Sequence, residues 1–550
     1  MSRSARIAVL LTAVGIAVLN APKALVIDDP CYVSFARHIA AAPLDPYGFD
    51  VFWHDAPEPA NHVLAPPVLV YWLAGATAVF GDSPLLWKLS LFPFALVLAA
   101  SLHFLLARFA RGVETPLLWM TMASPAVLPA LNLMLDLPAL GLGLGSLCLF
   151  IRACDRGSVS LAALAGLVAG VAMQTKYTSV TTTIALVAWA AVSNRWLFGW
   201  IAGSLAACVF VGWECFTLLR YGDSHFVFAA TRNLGALPPD FASVRWLFAL
   251  LSIVGATLPV LGLLALVVLR ASRRRLVAAS AAVGAAFAVI PLLPGYPVAG
   301  GGSLPSFAYM RPELPIFVLL GAFVVAAVGA AARRRWPRGD AQRVAPFLGF
   351  WVLIELVAAW GLSPFPAARR ILGLGVAMTL LLGHLLTRRP LARADRVRTL
   401  GLALAGTVLG LVFFVSDFVD ASAHRDVVAR LVEHLDHLGR RAGQQVWFTG
   451  HWGFQFYAER AGMRPAVPDA TRLQRGDWLL VANGIPAQTV AARPGCLDAV
   501  EVLRAPSPWP WSTHPSAYYG PLPIRSQPDS QLDVSILVAK ASCRVRAFEE

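Results

Sequence analysis

Two adjacent carboxylates, Asp28 and Asp29, follow an apolar stretch and open the run Asp28-Asp29-Pro30-Cys31-Tyr32-Val33-Ser34-Phe35. Such a pair is costly for solubilisation alone. It suits a general base beside a hydrogen-bonding neighbour, or a pair of oxygens for a divalent cation. The plainer alternative is a helix N-cap followed by a solvated charge, ahead of Tyr32, Phe35 and Ile39 on one helical face. Asp136, in Leu133-Met134-Leu135-Asp136-Leu137-Pro138, has no other charge around it from Thr115 to Ile151. An acid at the edge of hydrocarbon is a functional candidate by default, with an N-cap before Pro138 as the competing reading. Lys176 is one of only four lysines against 41 arginines. It and Arg311, in Tyr309-Met310-Arg311-Pro312-Glu313, stand at helix junctions where a cation can neutralise the phosphate of a lipid-linked substrate. Snorkelling at a membrane interface is the competing explanation for each.

The elements that must position these groups are membrane spans. Of 550 residues, 57% are hydrophobic and 14% charged, against roughly 45–50% and 25% in soluble domains. Thirteen segments reach spanning length, near 5–22, 85–107, 114–131, 137–151, 159–174, 177–193, 196–219, 246–269, 276–294, 312–332, 344–362, 371–387 and 399–416. The expected class is an all-α polytopic membrane domain over 1–416, followed by a small extracytoplasmic α/β domain over 417–550.

The net charge of +14 invites a nucleic-acid reading, but residues 417–550 balance at 14 basic and 14 acidic side chains. The excess belongs to the loops between spans, and no nucleic-acid partner is inferred. With the N-terminus inside and the apolar stretch 66–81 not spanning, 21 basic residues fall inside and 10 outside, as the positive-inside rule requires. Letting 66–81 span with the same start inverts the count. A third arrangement, N-terminus outside with 66–81 spanning, ties on the total, and Arg3 and Arg6 before the first helix decide against it. Residues 23–84 are therefore expected outside, in a multi-pass inner (plasma) membrane protein, with 66–81 at the outer interface. Eleven of the 17 carboxylates before residue 417 then also lie outside, which makes that face the chemically busy one.

No phosphate-binding loop, dinucleotide fingerprint, zinc-type Cys/His spacing or serine elbow is present. Glu214 and Glu355 fall within spans and read as buried polar contacts or protonated acids. Loops near 220–245 and 295–311 are candidate lids over a reacting centre. Cys496 and Cys543 share the C-terminal region and can pair in an oxidising compartment.

Taken together, the acidic pair after the first span, Pro66-Pro67-Val68-Leu69-Val70-Tyr71-Trp72-Leu73, the isolated Asp136 and Thr175-Lys176-Tyr177 after a Gly-containing span resemble the GT-C fold glycosyltransferases. The likeness is to bacterial members of glycosyltransferase family 39, akin to protein mannosyltransferases and aminoarabinose transferases. Gly450-His451-Trp452-Gly453-Phe454-Gln455-Phe456-Tyr457 resembles the outer C-terminal part of such members. The resemblance implies a sugar carried on polyprenyl phosphate and moved, with inversion, to a lipid, glycan or protein acceptor at the outer face. It implies Asp28 as the catalytic carboxylate, Asp29 as its partner acid and Asp136 as the second-loop acid. Lys176 and Arg311 become donor-phosphate contacts, and His62 and Tyr32 substrate contacts. Where the family carries His before Pro-Pro, this chain has Ala65, with His62 nearby. A divalent cation, if used, falls to Asp28 and Asp29. The rival class is a secondary transporter or lipid flippase, which usually shows related halves and broken helices at the midplane.

Overall fold

The computed structural model describes residues 2–235, 244–294, 311–336, 343–361, 365–507, 509–513, 521–527 and 532–547. Residues 236–243 and 295–310, within the two expected lids, lie outside these.

The chain begins with α1 (Arg3–Asn20), α2 (Asp29–Ala41), a short antiparallel hairpin (Asp50–Phe52 with Pro57–Pro59) and α3 (Pro67–Phe80). The bundle continues through α4 (Pro84–Leu89), α5 (Phe92–Phe109), α6 (Glu114–Met122), α7 (Asp136–Arg156), α8 (Val159–Met173), α9 (Val180–Val192) and α10 (Trp196–Tyr221). Then come α11 (His225–Gly235), α12 (Val244–Thr257), α13 (Pro259–Val268), α14 (Arg273–Val289), α15 (Glu313–Arg335), α16 (Val344–Gly361), α17 (Leu372–Thr387) and α18 (Arg393–His437). Nine of the described helices are long and apolar enough to cross a membrane.

Four expected spans differ. Val159–Met173 and Tyr177–Val192 are apolar helices shorter than those nine, and the other two stretches are broken. The stretch 114–131 is helical only over Glu114–Met122, because Pro125 and Pro129 each remove a backbone donor. The irregular backbone that follows is covered by protein, as it must be at membrane depth. Asn20 Nδ2 donates to Leu128 O at 2.8 Å and Lys23 Nζ to Pro129 O at 2.6 Å. The stretch 246–269 is bent by 74° between α12 and α13, at Leu258 ahead of Pro259, where the residue before a proline is pushed out of the helical region.

Helix α3 has 14 residues, about 21 Å at 1.5 Å per residue, short of the ~30 Å hydrocarbon core. Tyr71 Oη donates to Pro43 O at 2.7 Å and Trp72 Nε1 to Ser90 O at 3.0 Å. These bonds tie it to the segments that follow α2 and α4.

Helix α18 runs unbroken for 45 residues, so the expected boundary at 416 falls inside one helix that the two domains share. Beyond it, α19 (Trp452–Arg460) packs with a five-stranded sheet. In spatial order its strands are Arg464–Pro465, Val446–Thr449, Trp478–Asn483, Asp533–Ala539 and Leu497–Arg504, the first three parallel and the rest antiparallel. Cys496 and Cys543 are joined in a disulfide.

Candidate active site

Asp28 sits just before α2, whose first turn carries Pro30, a residue pre-set for that position. Its carboxylate makes no capping bond to the helix. Instead Arg369 Nη1 donates to Asp28 Oδ2 at 2.9 Å. Asp136 is the first residue of α7, one position inside the cap. Its Oδ2 lies 3.7 Å from the same Arg369 nitrogen, and its Oδ1 accepts from Lys176 Nζ. One guanidinium thus joins two carboxylates 108 positions apart in sequence, and a lysine from the α8–α9 junction closes the group. Asp28 holds the N-cap position of α2 and Asp136 the first turn of α7, but neither caps its helix through its side chain.

Asp136, Lys176 and Arg369 of this group line a cavity of about 60 Å³ together with Arg370, Glu355, Thr178, Ser179, Thr181 and Thr182. Arg369 and Arg370 stand on the turn Ala368–Ile371 that leads into α17. Glu355 reaches the cavity from α16, accepting from Trp351 Nε1 at 3.1 Å. A Cβ at Gly373 would fall 2.3 Å from Glu355 Oε2, so glycine there lets α17 approach the carboxylate. Burial pushes the Lys176 ammonium down to about 8, while Asp136 pulls it back up. Arg370 and Arg369 lower it further.

Asp29 belongs to a different cluster. It is fully buried, 3.4 Å from Lys88 Nζ, and Oδ2 accepts the Val26 N–H at 3.2 Å. Desolvation raises its carboxyl above the ordinary value, with Lys88 opposing. Because Asp28 and Asp29 are each engaged by a different basic side chain, the pair does not fit a shared divalent cation. Among the described residues, no group of three or more His, Cys, Asp and Glu side chains is placed to hold a metal.

The other expected contacts lie apart from the cavity. Arg311 donates from Nε and Nη2 to Glu313 at 3.1 and 2.6 Å and from Nη2 to Ser526 Oγ at 2.9 Å, so its planar fork is turned to a neighbouring carboxylate. His62 pairs with Asp223 at 3.3 Å and stacks on Phe228. Tyr32 is buried in α2, its N–H bonded to Asp28 O at 3.2 Å. Glu214, left as a buried contact, accepts from Tyr177, Gln174 and Ser224 side chains and holds the segment next to Lys176.

Arg369, Arg370 and Glu355 were not singled out from sequence as site residues. A signal existed for the arginines. Arg369-Arg370 is the one adjacent basic pair that the preferred topology leaves on the outer side before residue 417, against the positive-inside trend.

No protein-family model matches the chain, and no curated protein matches it in sequence. Among solved structures it is similar to an oligosaccharyltransferase from Archaeoglobus fulgidus, with 13% identity and a TM-score of 0.47 over 84% of this chain and 62% of that one. It is also similar to ArnT from Cupriavidus metallidurans, with 15% identity and a TM-score of 0.43 over 86% and 92% of the two chains. The arabinosyltransferase EmbB from Mycobacterium smegmatis gives 17% identity and 0.36 over 93% and 47%. All three are GT-C fold glycosyltransferases. With every TM-score below 0.5, the chemistry has to be read from this chain's own side chains.

Proposed function

We propose that this protein is an integral membrane glycosyltransferase that moves a sugar from a polyprenyl-phosphate donor to an acceptor hydroxyl, with inversion and with Asp28 as base. The observation that carries the reading is the shared guanidinium. Arg369 bonds Asp28 on one side and lies against Asp136 on the other, beside Lys176, at the mouth of a polar cavity. A carboxylate that can take a proton stands next to cations that can take a phosphate.

In the proposed step Asp28 accepts the proton of the acceptor hydroxyl, the acceptor oxygen bonds to the anomeric carbon, and the bond from that carbon to the phosphate oxygen breaks. The negative charge left on the phosphate meets Lys176, Arg369 and Arg370. Cations already held in place by Asp136 need little reorganisation as that charge develops, which is where electrostatic stabilisation is most effective.

The site is assigned to the extracytoplasmic face. Arg108 pairs with Asp155 at the far end of the bundle, where Arg343 also bonds Val192 O. The runs Arg273–Arg275 and Arg333–Arg335 flank that same end, as cytoplasmic loops do. The site end carries the C-terminal domain with its disulfide, which suits an oxidising compartment.

A structure determined with a long-chain polyprenyl phosphate tests the reading. The phosphate is expected within ion-pair reach of Lys176, Arg369 and Arg370. A phosphate seated away from all three would overturn the assignment.

A further inference from the structure

The run Gly450 to Tyr457 has no part in the chemistry above, yet it meets the polypeptide immediately before Asp28. Strand Val446–Thr449 turns into α19 through two residues of positive φ, Gly450 at +121° and Trp452 at +61°. The turn aims one face of α19, bearing Gly453 and Tyr457 four positions apart, at residues 24–26. Tyr457 Oη accepts the Leu25 N–H at 3.0 Å. The Leu25 carbonyl lies so close to Gly453 that a Cβ there would stand 2.2 Å from the oxygen, with His424 Cβ at 3.3 Å on the other side. Any larger residue must displace α19 or the 24–26 backbone.

Residues 23–26 are gripped from every side. Lys23 Nζ bonds Asp417 Oδ2 on α18 at 2.6 Å, Lys88 Nζ on α4 donates to Ala24 O at 3.0 Å, and the Val26 N–H is bound by Asp29. Ile27 follows at φ +54°, a region a β-branched residue enters only where its surroundings over-determine it. Only Val26 and Ile27 separate Leu25 from Asp28, so displacement of the Leu25 peptide is carried to the carboxylate.

We propose that α19 positions the Asp28 loop for transfer through Gly453 and Tyr457, making the C-terminal domain a working part of the active site. The proposal rests on the glycosyltransferase reading, in which Asp28 is the base; Gly453 and Tyr457 act through it as positioning residues.

The test uses the full-length protein in lipid nanodiscs, as wild type, Asp28→Asn, Tyr457→Phe, Gly453→Ala and the exposed control Arg475→Ala. The readouts are kcat, the KM for the polyprenyl-phosphate sugar, melting temperature and amide exchange over residues 24–28. Tyr457→Phe keeps the ring and removes only the acceptor. It is expected to speed exchange at Leu25 and to lower kcat about 10-fold, since small misplacements of reacting groups are costly, with KM and melting temperature near wild type. Gly453→Ala should lower kcat more. Faster exchange at Leu25 with wild-type kcat in Tyr457→Phe would overturn the proposal, as would exchange that does not change. If Asp28→Asn is inactive while both α19 variants keep wild-type kcat, only the positioning role falls. If Asp28→Asn transfers as fast as wild type, the reading of the site itself falls.

Discussion

Asp28 and Asp29 are neighbours in sequence and belong to two charged clusters with opposite designs. In one, Asp136, Lys176 and Arg369 line a cavity, and Asp28, bonded to that Arg369, keeps 16% of its side-chain surface exposed. In the other, Lys23 with Asp417 and Lys88 with Asp29 have at most 1% exposure, and the lysines spend further hydrogens on the carbonyls of Pro129 and Ala24. The second cluster is shut off from solvent at both its ion pairs. It joins the backbone before Asp28 to α4 and α18, and its work is mechanical. Solvent access and engagement by a cation that a ligand can share separate chemistry from scaffolding here, where residue type and spacing do not.

The comparison breaks most sharply at Asp29. Asp29→Asn leaves Lys88 as a buried charge without its counter-ion, a loss of about 3–5 kcal/mol. A large fall in melting temperature is expected, with near-normal turnover per folded molecule. Turnover lost at an unchanged melting temperature would move Asp29 into the reactive cluster.

A smaller effect is expected from pH. Burial holds the Lys176 ammonium down at about 8, so its cation is expected below that value and lost as pH rises through it. Transfer should therefore fall on the alkaline side by roughly tenfold per unit, one proton being lost there. Lys176→Arg, which stays charged, should move that limb upward. A limb that does not move would place the titrating group elsewhere.

The least effect is expected at His62, which pairs with Asp223 away from the cavity. His62→Ala should change kcat/KM by no more than about twofold, in line with other exposed substitutions. A loss of an order of magnitude would show that the segment between α2 and α3 reaches the substrate in a state this structure does not display.

Much of this was legible from sequence. Apolar length and arginine placement located the bundle, and three of the charged groups of the candidate site, Asp28, Asp136 and Lys176, stand out by isolation or position. What was not legible depends on contacts between distant segments. Glu355 looks like a stray acid in a span until Gly373 brings α17 against it. Arg369 looks like an ordinary loop cation until it lies between two aspartates, and Arg311 looks free to bind phosphate until Glu313 occupies its fork. The break after Met122 needed Asn20 and Lys23 to satisfy carbonyls more than 100 residues away. Local periodicity carries no information about such partners.

The most direct test is sugar transfer from a polyprenyl-phosphate donor by the purified protein in vesicles, measured for wild type and Asp28→Asn alongside binding of the donor. The account predicts transfer by the wild type and, in the variant, a fall of roughly 10²–10⁴-fold, the usual contribution of a general base, with donor binding and melting temperature preserved. Transfer by Asp28→Asn at the wild-type rate would contradict it, as would substrate uptake into the vesicles with no transfer from any lipid-linked sugar.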